Sequence, residues 1–335
     1  MDFLNRVHAR SLLAWGQAHP EAIVLSGDLT ASCEADEFRE ACPDQFVSMG
    51  LAEQNMMSFA AGLAREGLRP LVHTFSVFIY RRALDQIEMS IAYPNLPVRI
   101  FGFLPGVTTP GGASHQATND IAVLRSLPNM TILETGDATD VESMLPVADS
   151  IDGPVYCRML RGALPRLFPK TDPVRLGKAR MLGDGSDIAL LTSGICTEEA
   201  MRAADALRRK GVGIRHLHLT TLKPFDDSTV MEACAAASLG VITMENHLRN
   251  GGMGSAVAEL IAEQRIDTRL LRIGIDDTYM QGASRDYLMR RYGMDVPTLV
   301  RAVEELAGQR LDISRDDISV ARTDGFVGAR QQEAL

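Results

Sequence analysis

The sequence predicts an α/β protein of two domains, each a mostly parallel sheet with helices on both faces. Three observations support this fold class. The chain has 335 residues, which suggests two domains at about 150 residues each. Short apolar runs alternate with helical segments, and the runs are nearly continuous in apolar residues, as in parallel strands covered on both faces. A proline-containing stretch near the middle separates two such series.

The first domain is predicted over residues 1–165. Its N-terminal segment, "MDFLNRVHARSLLAWGQAHPE", has a helical pattern that ends near Pro20, and a second helix begins at Glu53. A further helix is predicted through "RRALDQIEMSIAY". The apolar runs predicted as strands are "AIVLSGD", "RPLVHTFSVF", "LPVRIFGF", "MTILETGD" and "GPVYCRML". Strand and helix alternate along this half, which indicates βαβ connections.

Residues 166–182 are predicted as a linker, because the surrounding stretch "ALPRLFPKTDPVRLGKAR" holds three prolines and no sustained period. A second α/β domain is predicted over 183–310. It begins with a turn at "GDGSD"; its strands are "SDIALLTSG", "GIRHLHL", "LGVITMEN" and "RLLRIGI", and its helices are "TEEAMRAADALRRKG" and "GSAVAELIAEQ". The polar end, 311–335, is predicted as a loose tail or a partner-docking arm.

The composition argues against several classes of protein. Hydrophobic residues at 46% and charged residues at 23% are typical of soluble globular chains, and no apolar run approaches the roughly 20 residues of a membrane span. The net charge of -9 argues against nucleic-acid binding, which needs a basic surface. Five scattered cysteines without a C-x-x-C pair favour free thiols. Since the N-terminus also lacks a signal-peptide pattern, we expect a cytoplasmic protein.

A carboxylate opens the helical stretch "MGLAEQNMMSFAAGLAREG". Glu53 has the apolar neighbours Leu51, Ala52, Met56 and Met57. Removing an ionised carboxylate from water costs several kcal/mol or more unless it is paired, so Glu53 is either a surface cap at a helix N-terminus or a functional group. The residues alone leave both possibilities open.

Two histidines are candidate contacts to a ligand. His115 lies in the loop "GVTTPGGASHQATND", between a strand and a helix, where open α/β sheets place ligands. An imidazole titrates near neutrality, so His115 is suited to shuttle a proton or to donate a hydrogen bond to a substrate oxygen. His247 comes before a glycine-rich turn and is a candidate contact to a substrate or a subunit. For a lone loop histidine, simple surface exposure is the commoner explanation.

Other patterns have an ordinary explanation in packing. Phe75 and Phe78 lie on opposite faces if their segment is a strand, and on one face if it turns helical after Val77. Either arrangement is compatible with a hydrophobic core. His216 and His218 alternate in "RHLHL" and are interpreted as one face of a strand with no metal partner nearby.

Several motifs taken together resemble a known family. "MGLAEQN", "FSVF-x-x-RRALDQI", "AYPNLPV", "GASHQATNDIAVLRSLPNMTI" and "DGPVYCRMLRG" resemble the pyrimidine-binding domain of the transketolase and deoxyxylulose-phosphate synthase family. "TMENHLRNGGMGSAVAE" and "RIGIDD" resemble its C-terminal domain. The "GDG" at Gly183 is followed by no asparagine before Asn246, so the family's own diphosphate motif is missing. The chain therefore resembles the C-terminal subunit of a split transketolase.

The resemblance implies a cofactor and a set of site residues. The cofactor is thiamine diphosphate, with Mg²⁺ bound mainly by a partner subunit. In this family the glutamate of the A-E-Q motif hydrogen-bonds N1′ of the aminopyrimidine, which promotes loss of the thiazolium C2 proton, and the freed carbon attacks a ketose carbonyl. The implied catalytic residues are Glu53 and His115; the cofactor contacts are Glu53, Phe75, Phe78, Asp28 and Arg82; the substrate contacts are Ser32, His115, Arg161 and His247.

Two positions depart from the family pattern. The usual loop carries an acidic residue four positions before the histidine, and here that residue is Gly111. Leu104 replaces a histidine or arginine that members offer to the substrate. Because buried polar groups discriminate strongly between substrates, we expect a non-standard sugar or an acceptor without the usual phosphate.

The expected function is ketol transfer between sugars or sugar phosphates, with a separate diphosphate-binding subunit of the N-terminal type. In the family the cofactor lies between domains of different protomers, so we expect a heterotetramer with two copies of each chain. We expect neither nucleic acid nor membrane as a partner. Three alternatives remain open: a β chain of a 2-oxo-acid dehydrogenase, a deoxyxylulose-phosphate synthase-like enzyme, and a regulatory subunit that has lost its chemistry.

Overall fold

The computed structural model of this chain describes residues 3–314 and 317–318. Most of the tail predicted over 311–335 lies outside the described residues. The elements of the first half are β1 Phe3–Asn5, α1 Val7–Gln17, β2 Ala22–Ser26, α2 Asp36–Ala41, β3 Phe46–Ser48, α3 Glu53–Arg65, β4 Arg69–Phe75, α4 Ser76–Gln86, β5 Arg99–Phe103, α5 Asp120–Arg125, β6 Thr131–Glu134, α6 Ala138–Asp149, β7 Val155–Met159 and β8 Ala163–Pro165. A π-helix, Ile87–Ala92, follows α4 directly.

The elements of the second half are β9 Arg180–Gly183, β10 Ile188–Thr192, α7 Cys196–Arg209, β11 Ile214–His218, β12 Thr221–Lys223, α8 Ser228–Ala236, β13 Gly240–Leu248, α9 Met253–Glu263, β14 Leu270–Ile275, α10 Arg285–Arg291 and α11 Val296–Ala307. The "GDGSD" stretch connects β9 to β10, as predicted for a turn: the Asp187 carboxylate accepts the backbone N–H of Gly213 at 2.7 Å.

Two sheets form the framework of the described residues. The first has seven strands in the order β12-β6-β7-β5-β4-β2-β3, and the second has five in the order β14-β13-β10-β11-β9. All neighbours in the first sheet are parallel except β12, and all in the second except β9. Because β5 and β7 are buried along their whole length, they carry apolar residues on both faces. The predicted α/β class with mostly parallel sheets is confirmed.

The two halves of the chain are joined through the first sheet. Strand β12, Thr221–Lys223, belongs to the C-terminal half, yet it pairs antiparallel with β6 at the edge of the first sheet. Strand β9, which begins at Arg180, includes the last residues of the predicted linker and closes one edge of the second sheet. The end of the predicted linker is therefore part of the second sheet, and the C-terminal half also contributes a strand to the first sheet.

A buried guanidinium group joins the first sheet to the C-terminal half. Arg158, on β7, has no exposed surface and donates to Asp120 Oδ2 at 2.8 Å and to Glu134. It also donates to the backbone carbonyl of Asn246, on β13, at 3.1 Å. Burial by itself lowers the pKa of Arg158, but the charges of Asp120 and Glu134 outweigh this and raise the pKa above its ordinary value. Arg158 therefore stays charged, so the carboxylates of Asp120 and Glu134 must remain paired with it.

We expect Arg158→Ala to lower the free energy of unfolding by about 3–5 kcal/mol, because it strands two carboxylates inside the protein. Urea unfolding followed by circular dichroism measures the change. The matched control is Arg39→Ala, which removes an arginine that is 51% exposed, and it should change stability by less than about 0.5 kcal/mol. Equal midpoints for wild type and Arg158→Ala would contradict this account of the contact.

Two histidines pair inside the first domain. His8 and His73 are fully buried, and their Nε2 atoms lie 2.9 Å apart. Burial lowers the pKa of His73 to about 4. Burial, and then the charge of His73, lower the pKa of His8 well below its usual value. Both rings are therefore neutral in the folded protein near neutral pH.

We expect the free energy of unfolding to fall as the pH drops from about 6.5 towards 4. Over this window the unfolded chain takes up a proton at His73, at its ordinary pKa of 6.5, which the folded chain takes up only near a pKa of about 4. His73→Gln should therefore lose about 2 kcal/mol less than wild type between pH 7 and pH 5. Urea unfolding at the two pH values gives both numbers. Equal losses of unfolding free energy in wild type and His73→Gln would contradict the assignment of this pH dependence to His73.

Candidate active site

Glu53 is the first residue of α3, and its side chain is only 3% exposed. The chain enters the helix through Gly50, whose φ of 65° lies in the left-handed region that glycine adopts at little cost. The N-terminus of a helix favours a negative charge, which offsets part of the cost of burying this carboxylate. Such burial excludes the alternative of a surface cap.

Arg82 pairs with this carboxylate. Arg82 Nη1 donates to Glu53 Oε1 at 2.6 Å, and the arginine side chain is 45% exposed at the edge of the site. The guanidinium carbon of Arg82 also lies 3.9 Å from the centroid of the Phe78 ring. Phe78 and Arg82 are four residues apart on α4 and so share one helix face. One cation thus contacts both the carboxylate and an aromatic ring.

The aromatic residues of the site lie at a junction between a strand and a helix. Strand β4 ends at Phe75 and helix α4 begins at Ser76, so the prediction of a strand through Phe78 is wrong. Phe75 is the N-cap residue and keeps an extended backbone, and the chain becomes helical directly after it. The rings of Phe75 and Phe78 are 5.8 Å apart between centroids and inclined by 23°. The two rings therefore lie on the same side, as the alternative of a helical segment predicts.

His115 approaches the same aromatic pair from a loop. We call residues 104–119, between β5 and α5, the His115 loop. The imidazole of His115 is half-buried, and its ring lies edge-on to Phe78 with 5.6 Å between centroids. His115 Nδ1 is 2.9 Å from the hydroxyl of Ser114. The structure thus brings five predicted residues together, and we call them the Glu53 cluster: Glu53, Phe75, Phe78, Arg82 and His115.

Asp28 and Ser32 lie at the same edge of the first sheet. Asp28 is exposed two residues beyond the end of β2, with a φ of 66°, and Ser32 is half-buried in the following turns. Because β2 and β4 are parallel neighbours, this segment and Phe75 leave the sheet at one edge. Within the described residues, no hydrogen bond, ion pair or ring contact joins either side chain to the Glu53 cluster.

Arg161 lies next to that segment. It follows β7 by two residues and is half-buried. Glu34 accepts the backbone N–H of Gly162 at 2.7 Å, which ties the Ser32 segment to the residue after Arg161. Burial raises the pKa of Glu34, and the charge of Arg161 is among the groups that oppose this rise. The segments that carry Ser32 and Arg161 are therefore joined through Glu34 and Gly162.

His247 is placed differently from the prediction. Its ring is fully buried; Nδ1 bonds the carbonyl oxygen of Leu248 at 2.6 Å, and Nε2 accepts the backbone N–H of Ala122 at 3.4 Å. Burial lowers the pKa of His247 to about 4, so the ring is neutral. One nitrogen thus bonds the backbone of β13 itself and the other bonds the backbone of α5. The structure gives no support to a substrate contact by His247.

The two positions that depart from the family pattern both shape the His115 loop. A Cβ at Gly111 would lie 2.7 Å from the Cβ of His115, closer than real contacts allow. Leu104 is nearly buried and has a φ of 56°, a left-handed conformation that is unusual for leucine. Gly111 is therefore needed for the observed place of the His115 side chain.

Sequence reasoning missed the residues that hold this loop. Arg81 Nη1 donates to the carbonyl of Ala113 at 2.7 Å, and Arg81 Nη2 donates to that of Gln116 at 3.2 Å. Asn246 bonds the start of the loop from the C-terminal half. The basic pair Arg81/Arg82 was visible in the sequence, but nothing there shows that adjacent arginines on a helix point to different partners.

Two features are absent from the described residues. No group of three or more histidine, cysteine, aspartate or glutamate side chains is arranged to hold a metal ion. Within the same residues, no helix has the length and hydropathy needed to cross a membrane.

Two family models match the chain in order. Residues 6–166 match the pyrimidine binding domain of transketolase, and residues 177–299 match the transketolase C-terminal domain. This chain belongs to the transketolase family. The resemblance drawn from the motifs is confirmed, and a pyrimidine-binding domain implies dependence on thiamine diphosphate.

Three relatives extend this result. A 6-deoxy-6-sulfo-D-fructose transketolase subunit of Clostridium sp. (strain MSTE9) is 35% identical over 92% of this chain and 95% of its own length. A protein described as a transketolase C-terminal section, from Methanocaldococcus jannaschii, is 32% identical over 90% of this chain and 95% of its own. A solved structure titled "Split gene transketolase, inactive beta4 tetramer" is 34% identical, with a TM-score of 0.83 over 91% of this chain and 98% of its own. This member of the family resembles the C-terminal part of split-gene transketolases.

We expect Gly111→Ala to move His115 away from Phe78, because the new methyl group needs the space of the His115 side chain. With ¹³C-labelled histidine, the ring protons of His115 should lose the ring-current shift that Phe78 imposes on them. Gly62→Ala is the matched control, since a Cβ at Gly62 on α3 meets nothing within 4 Å. An unchanged His115 spectrum in Gly111→Ala would contradict the role given to Gly111.

Proposed function

We propose that this chain is the C-terminal subunit of a thiamine diphosphate-dependent transketolase-like enzyme that transfers a two-carbon ketol unit between sugars. A separate subunit supplies the diphosphate-binding domain. The observation that carries the proposal is the Glu53 cluster, in which a buried carboxylate, an aromatic pair and a half-buried histidine lie next to one another at the edge of a parallel sheet.

The residues present suit an aminopyrimidine. Among the hydrogen bonds of the described residues, Glu53 uses only Oε1, towards Arg82, which leaves Oε2 for a ring N–H. The Phe78 ring, beside Phe75, is a flat apolar surface on which a pyrimidine can stack once the Arg82 guanidinium, 3.9 Å from the ring centroid, moves aside. When bound, thiamine diphosphate supplies the nucleophilic carbon that adds to a ketose carbonyl. Glu53 holds the proton at the pyrimidine nitrogen, and Arg82 compensates the carboxylate charge while Glu53 is ionised.

The substrate side is assigned to His115, Ser32 and Arg161. His115 donates a hydrogen bond to a substrate oxygen or passes it a proton, and Arg161 binds an anionic group at the far end of the sugar. Gly111 and Leu104 remove an acceptor and a polar group from this pocket, so the sugar differs from the usual substrates. Since one relative is a sulfofructose transketolase subunit, a sulfonated ketose belongs among the donors to be tested.

The partner subunit is proposed to cover the surface next to Glu53. Leu51 and Tyr93 are 71% and 77% exposed. Two nearby residues in the sequence, Phe59 on α3 and Met89 in the π-helix, are also exposed. Large exposed apolar side chains on adjoining elements indicate an interface. We propose a heterotetramer in the cytoplasm with two copies of each subunit. In it the partner supplies most of the Mg²⁺ ligands and binds the diphosphate. The relatives described as a subunit and as a C-terminal section support this division.

The test uses this chain copurified with its diphosphate-binding partner. We expect Glu53→Gln to lower ketol transfer by at least about 100-fold, because an amide cannot exchange the proton of a carboxylic acid. Coupled assays with ketose donors and aldose acceptors measure the rate, and circular dichroism checks the fold. Glu66→Gln, the same change at the exposed end of α3, is the matched control and should retain full activity.

Wild-type turnover in Glu53→Gln would overturn the role of Glu53. Decarboxylation of a 2-oxo acid by the complete complex, without ketol transfer, would favour the dehydrogenase β chain instead. A complex that binds thiamine diphosphate but turns over no substrate class would favour a regulatory subunit.

A further inference from the structure

The His115 loop is closed on itself at its base. The backbone N–H of Gly106 donates to the carbonyl oxygen of Ala117 at 2.8 Å, so the two ends of the loop lie side by side. Farther out, Arg81 donates to two loop carbonyls. Because the ends cannot separate without breaking a buried hydrogen bond, the loop is held closed at its base. The position of His115 therefore depends on what holds the base.

Asn246, near the end of β13 in the C-terminal half, holds that base. Its side chain is buried; Oδ1 accepts the backbone N–H of Val107 at 2.9 Å, and Nδ2 donates to the carbonyl oxygen of Pro105 at 3.0 Å. A primary amide presents an acceptor and a donor side by side, so it pairs with the loop as a peptide group would. Without this side chain, two buried backbone groups lose their partners.

The loop is shaped to receive this amide. Gly106 lies between the two bonded backbone groups with a φ of 56°, and a Cβ there would lie 2.1 Å from Asn246 Oδ1. Any other residue at this position would clash with the amide and would also adopt a strained backbone. Gly106 and Asn246 therefore form one unit built from both halves of the chain.

Arg158 fixes Asn246 relative to the first sheet. Its Nη2 donates to the carbonyl of Asn246 at 3.1 Å and to the carbonyl of Ala117, at the other end of the loop, at 3.3 Å. Asp120 and Glu134 hold the guanidinium group in turn. A buried guanidinium group that bonds two carboxylates and two backbone carbonyls in this way allows few alternative geometries.

A second contact reaches the middle of the loop from the same half of the chain. The side-chain amide of Gln116 donates to the backbone carbonyl of Gln281 at 3.3 Å. A Cβ on Gly282 would lie 2.7 Å from the carbonyl oxygen of Pro110, so the two backbones pass in close contact. The C-terminal half therefore touches the loop at its base and on either side of His115.

We propose that Asn246 is a positioning residue, through which the C-terminal domain holds the His115 loop so that His115 faces Phe78 of the Glu53 cluster. The placement of the loop stands on these contacts alone, whereas its consequence for turnover rests on the proposed function. Displacements of about 1 Å at reacting groups lower rates by about 100-fold, so a residue that only holds a loop has a large effect on catalysis.

The first experiment measures the loop in the purified full chain. In Asn246→Ala, we expect backbone amides of the His115 loop to exchange hydrogen at least about tenfold faster, because two buried hydrogen bonds are lost. The histidine signal of His115, assigned with a His115→Gln variant, should lose its Phe78 ring-current shift. Amides of β2, β4 and β5 should exchange as in wild type.

Thr243→Val is the matched control. Thr243 lies on the same strand, is fully buried, and its hydroxyl is without a hydrogen-bond partner among the described residues. This change should leave the loop as it is. Asn246→Asp provides a second variant: it keeps the acceptor for Val107 but sets a carboxylate against the Pro105 carbonyl, and we expect an intermediate rate of exchange. Unchanged loop exchange in both Asn246 variants, or equal acceleration along the whole chain, would overturn the proposal.

The second experiment measures turnover in the complex with the diphosphate-binding subunit. If Asn246 acts through His115, Asn246→Ala should lower kcat/KM strongly in wild type but have little further effect in a His115→Ala background. Additive losses in this double-mutant cycle would overturn the link to His115. A wild-type complex without ketol transfer would contradict the proposed function, and hydrogen exchange would still decide the placement of the loop.

Discussion

The position of the candidate site depends on one buried cation. Arg158 has no exposed surface, so each of its donors must meet an acceptor inside the protein. Asp120 at the start of α5 and Glu134 at the end of β6 supply the negative charge, and the backbone of Asn246 supplies an acceptor from the second half of the chain. Because a misplaced acceptor would leave a charge unpaired, the contact between the two halves admits few arrangements.

A second constraint is the direction of the strands in the first sheet. Parallel strands end at one edge, and the chain leaves that edge through turns and helix N-termini. Phe75 ends a strand there and Glu53 begins a helix there, so an aromatic surface and a carboxylate meet without any sequence motif that contains both. The helix N-terminus makes the buried carboxylate tolerable, and the half-exposed Arg82 completes its neutralisation.

The C-terminal half takes part in the site although it contributes no side chain to the Glu53 cluster. It holds the His115 loop through Asn246 and through the backbone near Gln281. It also adds an antiparallel strand to the edge of the first sheet. Both halves of the chain therefore determine where the residues of the candidate site lie.

The fold class was readable from apolar periodicity, because buried parallel strands require apolar residues on both faces. Glu53 and His115 stood out as candidates, because a carboxylate among apolar residues and a histidine in a glycine-rich loop need an explanation, and only the family resemblance assigned them a role. The helix at Phe78, the inward ring of His247 and the amide of Asn246 were not, because each depends on a partner distant in sequence. The sequence by itself determined the elements and the chemistry available; only the tertiary structure decided which side chains meet, since contacts across strands and domains leave no periodic pattern.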